Sequence, residues 1–266
     1  MTATRRHPLR LTLSLLALVA ACARAPKPAP APAEVRIASG EQLLAAMHDR
    51  YAGKWYRTMT FRQTTTQVRN GAPQKSTWYE AMMLPGKLRI DTDLERGSGT
   101  LYANDSQYVV VNNAFRRGVA GHNVLLVLGF DVYGQPAART AEVLRSLGFP
   151  MTPVREGTFD ARPVWIVGGT GPSDMQSPQF WVDKERLLFV RVLQPFTGDP
   201  SKTSDIRFED YRPAGNGWVA ARVEGYTGGE RTLLEEYDDI RVDPPLSALL
   251  FDPRKWNAAP HWAKGR

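Results

Sequence analysis

The residues that could do chemistry are one cysteine, four histidines and several adjacent acid pairs, and their spacing limits what they can do. Cys22 is the sole thiol, so no disulfide can form within the chain. His7, His48, His122 and His261 lie far apart, and none stands at a metal-ligand spacing. Each reads as a solvated or capping histidine, His7 within a segment that is removed. No nucleophile elbow is present. Gly168-Gly169-Thr170-Gly171 lacks the Lys-Ser/Thr that completes a phosphate loop, and no helical pattern follows it. Glu209-Asp210, Glu235-Glu236 and Asp238-Asp239 fall on extended segments, where neighbours point to opposite faces and so make no acid–base dyad. Their expected use is in cross-strand pairs with the many arginines. The sequence thus predicts no catalytic residue, no metal site, no cofactor and no enzyme; a lipid-processing activity would need a nucleophile with a nearby histidine.

The cysteine has another use, set by what precedes it. Arg5, Arg6 and Arg10 form a basic start, and Leu11 to Ala20 is an uncharged, mostly apolar run. That run is shorter than the ~20 apolar residues a spanning helix needs, and has the length of a secretory signal. Val19-Ala20-Ala21-Cys22 resembles the lipobox of bacterial lipoproteins. The resemblance implies cleavage after residue 21 and lipidation of Cys22. Several acyl chains at one residue satisfy the two-signal requirement for stable anchoring. Residue 23 is Ala and not Asp, which by the same resemblance favours the outer membrane, facing the periplasm. Ala23 to Ala33 alternates Pro and Ala, a semi-rigid spacer that follows the lipidated cysteine and makes residues 22–33 a linker.

Residues 34–266 remain for one β-rich domain. The whole chain carries 34 basic and 27 acidic residues; without residues 1–21, which hold three Arg and no acid, it carries 31 and 27, a charge of +4. The charges are interspersed and form no Lys/Arg block, so no nucleic-acid partner is expected. A monomer is the favoured state.

Ser39, three residues before Gln42, starts a helix as in a capping box, with Leu43, Leu44, Met47 and Tyr51 at helical spacing and Gly53 as its stop. Strand patterns follow over 54–68 and 74–84, joined by Asn70-Gly71, then over 87–93, 100–103 and 107–113. Residues 124–128 and a segment opened by Gln135-Pro136 read as helices, the second ended by Gly148. Strands resume over 154–159, 163–167, 179–182, 187–193, 204–211, 217–226 and 231–242, with a last helical turn at 246–250. The predicted fold class is mainly β (α+β): a strongly curved antiparallel sheet of roughly ten strands with a few helices against one face.

Bulky apolar side chains alternate in phase on these strands. Met59 and Phe61 share one face, as do Met82 and Leu84, Leu88 and Ile90, and Leu187 and Phe189, with Trp218 on a later strand. A sheet curving around such a face encloses either a filled core or an apolar cavity for a lipid chain, and methionine suits an adaptable apolar surface.

The order of several short segments resembles the outer-membrane lipoprotein-sorting superfamily, the lipoprotein carrier and its receptor among them. The residues that carry the likeness are the helix-to-strand passage from Leu44 to Phe61, Pro85-Gly-Lys-Leu-Arg-Ile-Asp91, Tyr108 to Asn112, Phe180-Trp-Val-Asp-Lys184, Phe208-Glu-Asp-Tyr-Arg212 before Gly217-Trp-Val, Glu236-Tyr-Asp-Asp-Ile240 and Leu250-Phe-Asp-Pro253. The resemblance implies an incomplete β-barrel with helices covering its open face and an interior that holds acyl chains of a lipid or lipoprotein client. The carrier is soluble, whereas this chain has its own anchor signal, as the receptor does, and extra residues over 123–149. The leading expectation is a membrane-anchored envelope protein that binds lipid or acyl chains and has no enzymatic role. The alternative is an envelope sensor or structural interaction module of the same fold with a filled core.

Overall fold

The computed structural model describes Thr2 and residues 37–263. Cys22 and the linker lie outside the described residues. A compact unit begins at Ile37.

The first element is helix α1 (Gly40–Tyr51). Ser39 caps it: its Oγ accepts from Gln42 N at 3.3 Å, while Gln42 Oε1 accepts from Ala38 N at 2.8 Å. The capping box therefore closes one residue further back than its usual form. Leu43, Leu44, Met47 and Tyr51 are all buried.

A meander follows: β1 (Thr58–Arg69), β2 (Ala72–Met83), β3 (Lys87–Asp93), β4 (Ser98–Ala103), β5 (Ser106–Val111) and β6 (Ala114–Ala120). Its tight turns share one device, two successive residues with positive φ: Asn70 and Gly71, Asn104 and Asp105, Asn112 and Asn113. Two such residues make the mirror-image turn that matches strand twist, and Asn and Asp tolerate it. The chain then leaves the sheet for α2 (Val124–Gly129), a 3₁₀ turn (Asp131–Tyr133) and α3 (Ala137–Ser146). It returns as β7 (Val154–Phe159), β8 (Arg162–Gly168), β9 (Gln179–Asp183), β10 (Phe189–Phe196), β11 (Asp199–Ala214), β12 (Gly217–Thr227) and β13 (Glu230–Val242).

All thirteen strands form one antiparallel sheet in the order β6-β5-β4-β3-β2-β1-β13-β12-β11-β10-β9-β8-β7. Each half is a meander, and β1 joins β13 to link the halves. The edge strands, β6 and β7, are neighbours in sequence, so the helical segment between them leads from one open edge to the other. This is the incomplete barrel expected from the sequence, with thirteen strands rather than ten. The expected strand over 107–113 is in fact β5 and the turn to β6, and the sequence reading placed no strand over 114–120.

The sheet has two distinct faces. Helices α1 to α3 pack on the inner one, where the main apolar cluster runs from Leu43 and Met47 through Met59 and Leu128 to Phe180 and Val223. On the outer face of β2 to β5, residues 246–262 cross as a strap, with Leu250, Phe251 and Trp256 packed on Ala81, Leu101 and Val110. Sequence reading placed helices on one face and did not anticipate this second layer.

One ladder within the second half is incomplete. β12 pairs with β13 only from Arg222↔Glu236 to Thr227↔Glu230. The first residues of β12 pair with β11 alone, and Tyr237 to Val242 of β13 pair with β1 alone. A slit in the sheet separates them.

Candidate functional site

The structure gathers all nine residues expected to line the interior. Met59, Phe61, Met82, Leu88 and Phe189 are buried members of the inner cluster, and Leu84, Ile90, Leu187 and Trp218 pack against it, partly exposed. Register explains the convergence: Met59 stands opposite Met82, and Met82 opposite Leu88, across three adjacent strands. The helices close over them. Trp55, just before β1, stacks on Tyr133 with ring centroids 3.9 Å apart, and Tyr51 of α1 meets the same ring edge-on. Tyr133 Oη in turn accepts from Phe189 N at 3.0 Å. In this structure the nine are packed side chain to side chain, and the clefts found at the surface of the described residues are lined by others.

One of those clefts, about 530 Å³, occupies the slit. Pro213, Ala214 and Val219 line one side, and Tyr237, Ile240 and Val242 the other. Ala214, Val219 and Tyr237 are also members of the inner cluster, so the cleft reaches the apolar interior. Tyr237 stacks on Phe61 at 4.3 Å, which places one of the nine directly behind the cleft wall.

Beside the apolar residues the inner face carries polar ones. β1 points Gln63 and Thr65 the same way as Met59 and Phe61, and all four are fully buried. Gln63 Nε2 donates to Thr65 Oγ1 at 2.8 Å, while Gln63 Oε1 is buried without a partner. Glu80 stands opposite Phe61, and Glu235 opposite Thr65. Burial pushes the Glu235 carboxyl up to about 7, against the hydrogen bonds of Tyr237 and Gln63. Burial pushes Glu80 well above the usual carboxylate range, and the charges of Glu235 and Asp91 push it the same way. The sequence reading expected Glu235 on a solvated face or in a cross-strand pair with arginine, whereas it meets Tyr237 and Gln63 instead, and it did not single out Glu80. The signal was present: Glu80 shares parity with Met82 and Leu84, so the alternation that marks an apolar face also carries a carboxyl onto it.

The outer face treats its acids differently. Arg89 binds Asp91 through two hydrogen bonds of 2.8 and 2.9 Å, donates to Leu250 O and Trp256 O, and stacks on the Trp256 ring. His261 Nε2 lies 2.9 Å from Asp91 Oδ2. Burial raises the Asp91 carboxyl, and the hydrogen bonds of His261 and Arg89 outweigh it and hold it below its usual range. His261 is therefore buried in a network and is not the solvated or capping residue expected. His48 and His122 sit near the surface beside Asp49 and Asp105. Asp205 meets Arg191 and Arg207, and Asp183 meets Arg162 and Arg186. The acid pairs behave as the alternation predicts, with Asp238 bound to Arg62 and Glu236 beside Arg222. The Gly168–Gly171 loop is an ordinary turn, held by Asp174, which accepts from Thr170 N at 2.7 Å. Among the described residues, no three His, Cys, Asp or Glu come together as metal ligands.

No family model and no curated protein matches the sequence. Solved structures do share its fold. An outer membrane lipoprotein-sorting protein domain from Vibrio parahaemolyticus superposes with a TM-score of 0.56 at 12% identity, covering 80% of this chain and 96% of that one. A DUF1329 family protein from Desulfovibrio piger gives 0.55 at 14%, covering 80% and 95%. A LolA superfamily protein from Nitrosomonas europaea gives 0.51 at 11%, covering 81% and 98%. The chain therefore shares its fold with these structures, the fold its sequence motifs resemble.

Proposed function

We propose that this chain is a lipid-anchored envelope protein that holds an acyl chain of a lipid or lipoprotein client within its half-barrel, without catalysing a reaction. The observation that carries the reading is the slit: a cleft of about 530 Å³, with Arg212, Asp238 and Asp239 beside its apolar lining, opens between β12 and β13 next to the cluster that gathers the nine inward-facing residues. Burying alkyl surface there is worth about 25 cal/mol per Å², so a chain can be held without a charged contact and released to a more apolar site. Cys22 supplies the anchor, and the Pro/Ala-rich linker supplies the reach from the membrane. Among the described residues no helix is long and apolar enough to cross a membrane.

The test is displacement of a fluorescent fatty-acid analogue from the purified protein, with melts followed by circular dichroism. Met82→Asp places an ionised group where alkyl carbon lies and should abolish binding. Met82→Ala only enlarges the space and should keep binding, at a stability loss of roughly 2–5 kcal/mol. A folded Met82→Asp that binds like wild type removes this interior as the site. The anchor is tested by metabolic labelling with a fatty acid: wild type should take the label and Cys22→Ser should not.

A second reading has its own observation. Five of the nine residues are fully buried, and on this reading the interior is a filled core beneath a partner-binding surface. Wild type that binds no acyl probe, in its folded state, selects that interaction module.

A further inference from the structure

The inner face holds acceptor groups that the protein leaves partly or wholly unused. Glu80 is 6% exposed, and among the described residues its side chain makes no hydrogen bond. The charges acting on it, Glu235 and Asp91, are both acidic. Gln63 is fully buried, its Nε2 donates to Thr65 Oγ1, and its Oε1 has no donor. Glu235 receives one hydrogen bond from Tyr237 Oη at 3.1 Å, and the Gln63 amide lies beside it. The other groups facing this cluster are phenols: Tyr102, which feels the charge of Glu80, and Tyr237. No Lys or Arg acts on either carboxyl.

A buried acceptor without a donor, as Gln63 Oε1 is, is costly, and it persists where a ligand supplies the donor. The position fits a ligand. Tyr237 lines the slit and also bonds Glu235, so the cluster lies at the inner end of the cleft. We propose that Glu80, Glu235 and Gln63 bind the protonated amine of a long-chain amphiphile whose alkyl part occupies the apolar interior. The inference rests on the interior taking an alkyl chain and adds what the chain must carry. An ammonium has three N–H donors and a positive charge, matching three acceptor groups and a site of acidic character. A carboxylate or phosphate head brings no positive charge to pair with an ionised Glu80 or Glu235. Binding an ammonium requires the carboxyls to be ionised, so the proton that burial keeps on them passes to the buffer as the amine enters.

Calorimetric titration of the purified protein with decylamine, decanol and decanoate tests this. Decylamine should bind about ten-fold more tightly than decanol, the scale of one hydrogen bond to a charged group, and decanoate should bind weakest. Near neutral pH the apparent heat of amine binding should differ between buffers of different ionisation enthalpy, which reports proton release in the unaltered protein. Glu80→Gln and Glu235→Gln should each lower decylamine affinity about ten-fold and leave decanol affinity unchanged. Equal affinity for amine and alcohol, absence of proton release, or amine binding untouched by both variants overturns the inference. If decanol and decanoate bind and the amine binds no better, only the amine site fails. If none of the three binds, the lipid-binding reading fails with it.

Discussion

On the outer face of the sheet each buried carboxylate meets a cation: Asp91 has Arg89 and His261, Asp205 has Arg191 and Arg207, and Asp183 has Arg162 and Arg186. On the inner face Glu80 and Glu235 meet phenols, an amide and each other. Both faces are built from the same alternation of residues on the same strands. Their charges differ because the outer acids hold structure together: Arg89 ties β3 to the C-terminal strap through two carbonyls. Of the inner acids, Glu235 is held by Tyr237, and Glu80 ties no element to another. Polar groups that stabilise a fold are satisfied within it, whereas those kept for a ligand are left open.

The contrast can be broken most forcefully at Arg89. Arg89→Met strands Asp91 in the interior with only His261 beside it, and loss of one partner of a buried pair costs about 3–5 kcal/mol. Urea denaturation should show that loss, and limited proteolysis should find the strap cut after Phe251 or Trp256 sooner than in wild type. A loss below about 1 kcal/mol would make the outer network ornamental.

The inner face should respond in the opposite direction. An acid whose carboxyl is raised in the folded state binds protons more tightly there than in the unfolded chain. For Glu235 that holds between its ordinary value of 4.5 and about 7, so stability falls as pH rises through this window. Asp91, Asp183 and Asp205 are lowered, so their contribution is lost as pH falls through the acid range below about 4. The stability maximum should therefore lie at mildly acidic pH, near 5. Glu80→Gln removes one ionisable group from the inner face and should stabilise the protein at pH 8 by roughly 1–3 kcal/mol, with little change at pH 4.5. Destabilisation at pH 8 would show that Glu80 has an internal partner.

The smallest effect belongs to exposed pairs. Arg62 and Asp238 lie 2.6 Å apart, with both side chains about half exposed. Arg62→Ala should shift the urea midpoint only slightly, and less still in high salt. A larger cost would mean that ion pairs matter by number rather than by burial.

These distinctions show what one-dimensional pattern can carry. Asn70-Gly71 fixed a hairpin because its chemistry is local, and Ser39 with Gln42 marked a helix start for the same reason. The in-phase apolar residues of β1 to β3 pointed to one interior because parity along a strand survives any register. Asn112-Asn113 hid a turn, since neither residue is glycine, and β6 behind it is exposed along most of its length and lacks an apolar face. The slit was out of reach, because it depends on where β12 stops pairing with β13, a matter of register between strands. So was the meeting of Asp91 with His261, 170 residues apart. Glu80 was legible by parity yet overlooked, because a charge on an apolar face reads as an interruption when its partners are unknown.

The pairing of β1 with β13 also bears on how the molecule assembles. Nearly every other ladder joins strands adjacent in sequence, so most of the sheet can zip from hairpins whose loops close cheaply. Met59, however, waits for Val242, at the far end of the chain. Until then β1 presents a bare edge of Thr-rich strand, and the two half-meanders are joined only through the helical segment. A chain cut short before β13 would keep most of its hairpins and still expose two unpaired strand edges, the geometry that recruits other chains into aggregates. Closing that last ladder is thus what distinguishes the finished sheet from a sticky intermediate, and a chaperone that shields β1 would act where the molecule is most vulnerable.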